Sequence, residues 1–209
     1  MTARSTIQII DYGAGNIASV ANMIDHIGGQ PEIVSSPDQL KCNTKILLPG
    51  VGAFDHGINS LEEGGWLPML KECVQVKRTP ILGICLGMQL MCNSSEEGKV
   101  PGLGWIDASV HRFSFAADGV LKVPHMGWNQ VSVSKPDELL LDEAATEKRF
   151  YFVHSYYVKC ARQEDVILTS HHGHDFVAGF HRDNIWGLQF HPEKSHRFGM
   201  EIFRRFLEV

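Results

Sequence analysis

Residues 80–84, Pro-Ile-Leu-Gly-Ile, present no polar side chain on either face, so a strand formed there has to be covered on both sides. Strands of that kind lie in the interior of α/β sheets, between layers of helices. The preceding segments fit such a sheet. Residues 7–11 read as a strand, and Ile17, Val20, Met23, Ile24 and Ile27 then recur on one helical face up to the Gly28-Gly29 stop. Further strands are expected at 31–34 and 45–48, and a helix-compatible stretch follows the central strand at 86–93. Beyond about residue 100 strands follow one another closely, at 150–158, 165–170, 176–180 and 184–190, before a final helix near 197–207. The expected fold is a single domain over residues 1–209, a three-layer α/β/α sandwich around a central mixed, largely parallel sheet.

The central strand ends in Gly83-x-Cys85-x-Gly87, which resembles a nucleophile elbow: small flanking residues permit a sharp turn that exposes the middle side chain. A helix starting at Leu86 would aim its amide dipoles at the sulfur, favouring the thiolate and supplying a donor for an oxyanion. About a hundred residues later, His191-Pro-Glu193 closes another strand, and positions i and i+2 of an extended chain face the same side. Glu193 can therefore orient the His191 imidazole while His191 faces Cys85. The stretch Leu48-Pro-Gly-Val-Gly-Ala-Phe54 is a strand end followed by a Gly-rich loop whose amides can approach a ligand closely and flip.

Other chemistry is disfavoured. With 19 basic and 24 acidic residues the net charge is −5, without the basic excess that attracts nucleic acid or an anionic membrane. The opening residues run into a strand with no apolar leader, and residues 79–95 are interrupted by Gly83, Gly87, Gln89 and Asn93, so neither export nor a membrane span is expected and the protein reads as cytoplasmic. The five cysteines are odd in number and contain no Cys-x-x-Cys pair. A disulfide framework and a structural zinc site are therefore not expected, and Cys42, Cys73, Cys92 and Cys160 read as ordinary small apolar residues. The His171-His-Gly-His174 run suggests a hairpin rather than a metal site, because no further ligand set is evident nearby. Gly13-x-Gly15-x-x-Ala18 matches a dinucleotide-binding fingerprint, but the second strand lacks the acidic residue that would hold a ribose. A cysteine hydrolase of the dienelactone or peptidase kind, or a degenerate binding module, would share single elements of the pattern.

Together, Asp11-Tyr-Gly-Ala-Gly-Asn16, Pro49-Gly-Val-Gly52, Cys85-Leu-Gly-Met-Gln89, Pro124-His-Met-Gly-Trp-Asn129, Phe152-Val-His-Ser-Tyr156 and His191-Pro-Glu-Lys-Ser195 resemble the class I, triad-type glutamine amidotransferases. Within that family they are most similar to glutaminase subunits of imidazole glycerol phosphate synthases. The resemblance implies a Cys85, His191, Glu193 triad that hydrolyses L-glutamine through a thioester, without a metal or cofactor. It implies that Val51, Gly52 and Leu86 hold the oxyanion, that Gln89, Ser155 and Tyr156 hold the substrate, and that Asn16, Trp128 and Lys194 meet a (β/α)8-barrel cyclase subunit. The segments Gly102-Leu-Gly-Trp-Ile-Asp107 and Lys194-Ser-His-Arg-Phe-Gly-Met200 also resemble paralogues that feed ammonia to a sugar-amidinating enzyme of surface-polysaccharide synthesis, which leaves the ammonia acceptor open.

Overall fold

A computed structural model describes residues 4–115, 121–137, 139 and 148–209. In chain order the elements are β1 (Thr6–Ile10), α1 (Ile17–His26), β2 (Gln30–Val34), β3 (Lys45–Gly50), α2 (Phe54–Glu63), α3 (Trp66–Lys71), β4 (Ile81–Cys85) and α4 (Leu86–Leu90). They continue with β5 (Ser94–Ser95), β6 (Ala108–Arg112), β7 (His125–Val133), β8 (Lys148–His154), β9 (Tyr156–Cys160), β10 (Val166–His171), β11 (Asp175–Arg182), β12 (Ile185–Leu188) and α5 (His196–Glu208). One mixed sheet runs β2-β1-β3-β4-β12-β11-β10-β7-β8, with β9 pairing β11 and β6, and β5 pairing β6. The β2-β1-β3-β4-β12 portion is parallel, whereas β12-β11-β10-β7-β8 and β6-β9-β11 are antiparallel.

The period-two alternation of the strands splits their side chains between two cores. Ile10, Ile46, Leu48 and Ile81 join Phe54, Ile58, Leu61, Trp66 and Leu70 of α2 and α3. Ile7, Ile9, Leu47, Leu82 and Ile84 point the other way, onto Val20 and Ile24 of α1 and Ile202, Phe203 and Phe206 of α5. The sheet is thus covered on both faces, as its apolar central strand requires.

Local departures from the sequence pattern have identifiable causes. Residues 54–71 carry no expected helix because Gly57, Gly64-Gly65 and Pro68 punctuate them, yet α2 and α3 form there. Gly57 is tolerated inside α2 because Leu86 and Leu90 side chains come within 3.2 Å of where its Cβ would stand. The strand expected over 150–158 is two, β8 and β9, broken at Ser155: β8 pairs β7, while β9 turns to β6 and β11. The reading of Cys42 and Cys73 as unpaired apolar residues is corrected, since the two form a disulfide with their Cα atoms 4.5 Å apart. They lie 31 residues apart on segments that only the fold brings together, where the Thr79 hydroxyl donates to the Cys42 carbonyl. Cys85, Cys92 and Cys160 are free thiols. No helix of the described residues is long and apolar enough to cross a membrane.

Candidate active site

The site lies at the carboxyl ends of adjacent parallel strands, the place where α/β sheets gather ligands. Strand β4 lies between β3 and β12, in a register that sets Gly50 opposite Cys85 and Leu188 opposite Ile84. The Gly50–Gly52 loop therefore leaves the sheet on one side of Cys85, and Gln189-Phe-His191 leaves it on the other.

Cys85 adopts φ 54° and ψ −106°, a left-handed conformation unusual for a side chain with a Cβ. Three glycines make the turn possible by leaving out atoms. A Cβ on Gly50 would stand 2.9 Å from the Gly87 amide nitrogen, one on Gly83 would stand 2.8 Å from the Gly87 carbonyl, and one on Gly87 would stand 1.8 Å from the Leu48 carbonyl oxygen. The elbow expected from Gly-x-Cys-x-Gly is thus present, although α4 ends at Leu90, short of Asn93.

The His191 and Glu193 side chains are each 2% exposed, and Nδ1 of His191 meets a Glu193 carboxylate oxygen at 2.8 Å. A carboxylate only accepts, so Nδ1 carries the hydrogen and Nε2 remains for proton transfer. Nε2 is buried and closes no hydrogen bond among the described residues, and it lines the same cavity as Cys85. Burial alone would lower the basicity of His191, but the Cys85 sulfur and the Glu193 carboxylate outweigh it and raise the pKa to about 10. Its backbone is anchored too: the His191 amide donates to the Tyr151 carbonyl of β8, and the buried Ser195 hydroxyl donates to the His191 carbonyl at 2.6 Å.

A cavity of about 430 Å³ opens over Cys85 and is lined by Val51, Gly52, Leu86, Gln89, Ser155, Tyr156 and His191, every one expected from the sequence. Glu193 stands behind His191. The lining also includes Glu97, outside every motif read from the sequence, and Pro124, Val153 and His154, which lie within the motifs that carry the resemblance but were given no role there. Glu97 accepts from the Phe54 amide at the start of α2, and His154 donates from Nδ1 to the Tyr156 carbonyl at 2.7 Å. Since that carbonyl only accepts, His154 Nε2 must accept from Nδ1 of His125 at 3.0 Å, and His125 Nε2 from the Asn129 amide at 3.0 Å. Both rings are held neutral: burial, aided at His125 by His172, pulls its pKa to about 4, and burial pulls that of His154 to about 3. The histidine hairpin is part of this cluster. His172 stacks on His125 with ring centroids 4.2 Å apart, His174 stacks on Phe113, and His171 pairs with Asp175. Gly173, at φ 78°, turns the hairpin between β10 and β11.

Asn16, Trp128 and Lys194 lie outside the cavity. Asn16 immediately precedes α1, which packs against the turn Pro192–Lys194, and its side chain makes no capping hydrogen bond. Trp128 is 46% exposed and stacks on His196, while Lys194 is exposed with its Nζ 5.8 Å from the Tyr151 ring. In the dinucleotide-like stretch Gly15, at φ 124°, has a packing role, since a Cβ there would stand 3.3 Å from Pro49, whereas Gly13, at φ 86°, has open space on that side.

A strained cysteine, an oriented histidine and a Gly-rich loop at one end of an α/β sheet agree with the sequence family. Residues 8–209 match the model of glutamine amidotransferase class-I, and the chain belongs to that family. More particularly, it is 47% identical over 203 residues to imidazole glycerol phosphate synthase subunit HisH 2 of Pseudomonas aeruginosa, covering 97% of this chain and 99% of that one. It is 44% identical to imidazole glycerol phosphate synthase subunit HisH of Leptospira interrogans, with coverage of 97% and 100%. Solved structures share the fold at low identity. PurLQS of Thermotoga maritima superposes with a TM-score of 0.75 at 17% identity, covering 99% of each chain. The glutaminase domain of Trypanosoma brucei CTPS superposes with a TM-score of 0.63 at 16% identity, covering 96% of this chain and 93% of that one.

Proposed function

We propose that this chain is the glutaminase subunit of an imidazole glycerol phosphate synthase, releasing ammonia from L-glutamine for a (β/α)8-barrel cyclase subunit in histidine biosynthesis. The observation that carries the chemistry is the convergence of Cys85, His191 and Glu193 on one cavity walled by Gln89, Ser155 and Tyr156. The full-length relatives favour the histidine-pathway acceptor over the sugar-amidinating one.

The Cys85 thiolate attacks the side-chain carbonyl carbon of glutamine, and the oxygen gains the negative charge, held by the amides of the Val51–Gly52 loop and Leu86. Protonated His191 donates from Nε2 to the amide nitrogen, the C–N bond breaks and ammonia leaves. Neutral His191 then takes a proton from a water that attacks the thioester, and collapse of that intermediate expels the thiolate and yields glutamate. Glu193 holds the imidazole and offsets its charge throughout. Gln89, Ser155 and Tyr156 grip the substrate. Asn16, Trp128 and Lys194 form the docking face, beside which Met126, 62% exposed and two residues from Trp128 along β7, adds apolar surface of the kind that partners cover.

The test uses the complex with a matching cyclase and its nucleotide ligand. Cys85→Ala should lower glutamine-dependent synthesis by at least about a thousandfold while synthesis from ammonium salt persists. Glutamine hydrolysis at the parental rate would exclude Cys85 as the nucleophile.

A further inference from the structure

Gln189 is completely buried, and the amide chain around it fixes what it presents to the nucleophile. The Tyr156 carbonyl can only accept, so the Gln89 side-chain atom 3.1 Å from it is the nitrogen. The same nitrogen lies 3.0 Å from the Gln189 amide, and because an NH2 group donates, the Gln189 atom there is Oε1. That leaves Gln189 Nε2 turned to the Cys85 sulfur at 3.7 Å. A backbone carbonyl of the substrate wall thus sets, through two side-chain amides, an N–H donor on the reacting atom.

We propose that Gln189 is a catalytic residue, its side-chain N–H donating to the Cys85 sulfur and steadying the charge there before attack and when the thioester breaks. This rests on the reading of Cys85 as the nucleophile. Hydrogen bonds to ionised acceptors are among the stronger ones, and one in a buried site is fixed before the charge develops. His191 cannot fill this role throughout the cycle, because it gives up its proton to the departing ammonia. Gln189 has no proton to give and keeps its donor in place at every step. The two N–H groups of Gln89 are both committed, to Tyr156 and Gln189, so its Oε1 is the atom left for substrate.

The experiment is alkylation of Cys85 by iodoacetamide in the full chain, with steady-state glutaminase assays on the complex. Gln189→Glu keeps the shape and the acceptor for Gln89 but sets a carboxylate oxygen against the sulfur. It should slow alkylation and lower kcat by at least about tenfold, with the KM for glutamine within about threefold of parental. Gln189→Met, which removes the donor without adding charge, should move alkylation and kcat the same way by a smaller factor. Alkylation at the parental rate in folded Gln189→Glu and Gln189→Met chains overturns the proposal. Should both fail to fold, Gln89→Met, which loses both bonds that align the Gln189 amide, decides through alkylation, a readout that needs no bound glutamine: a rate slowed by about threefold supports the proposal and an unchanged rate overturns it. Cys85→Ala reports on the underlying reading separately, since an alanine variant that hydrolysed glutamine at the parental rate would exclude Cys85 as the nucleophile whatever Gln189 does.

Discussion

The parallel and antiparallel parts of the sheet carry their share of the site by different means. In the parallel part, β1, β3, β4 and β12 are almost wholly buried, and Cys85 is positioned by backbone against backbone, with glycines where strands and helix cross. In the antiparallel part, β7, β8 and β11 bring together His125, His154, Phe152 and Phe176, and the cavity wall is positioned by hydrogen bonds that side chains make to one another and to the Tyr156 carbonyl. Close packing leaves no partial failure. A polar chain can lose a link and keep its fold, at a cost set by the groups left unpaired.

The sharpest way to break this contrast is Gly87→Ala. Its new methyl would meet the Leu48 carbonyl oxygen at 1.8 Å, with backbone on both sides and no rotamer to relieve it. Destabilisation of about 4 kcal/mol or more is expected, read by denaturant unfolding or by loss of soluble protein. In the other half, His154→Phe keeps an aromatic ring but removes a donor from the Tyr156 carbonyl and the acceptor of His125. About 2 kcal/mol should be lost, with the fold retained.

The same variant should alter the acid response. His125 and His154 have folded pKa values of about 4 and about 3, whereas in an unfolded chain they return to about 6.5. Between those limits the unfolded chain binds more protons, so their contribution to stability is complete above about pH 6.5 and is lost as the pH falls through about 4 and 3. Thermal melts across that range should show a steeper fall in Tm for the parental chain than for His154→Phe. The smallest effect on stability is expected at Trp128→Ala, within about 0.5 kcal/mol because the ring is half exposed. Affinity for the cyclase, measured by titration calorimetry, should nevertheless fall by about tenfold or more if Trp128 anchors the docking face.

This contrast also marks what could be read from the sequence. The parallel strands announce themselves through uninterrupted apolar runs, and Gly-x-Cys-x-Gly announces the elbow, because both follow from local geometry. His191 and Glu193 were legible through their i, i+2 spacing. Gln189 was not, since its role depends on an amide a hundred residues away. His154 and His125 stood inside segments that carry the family resemblance but received no role for the same reason: nothing near either histidine in sequence says that the two rings meet. The Cys42–Cys73 bond was equally hidden by a separation of 31 positions in the chain and an odd cysteine count.

The crossing at Gly50, Gly83 and Gly87 has one more consequence. Main chain has no rotamers, so a sulfur whose place is set by main chain has little searching to do when substrate arrives, and its positional entropy was given up during folding. The same crowding means that any motion reaching Cys85 must carry the ends of β3 and β4 with it. Any adjustment at this end of the sheet is therefore left to the loop beyond Gly50, where Gly52 at φ 106° has open space on the side a Cβ would fill.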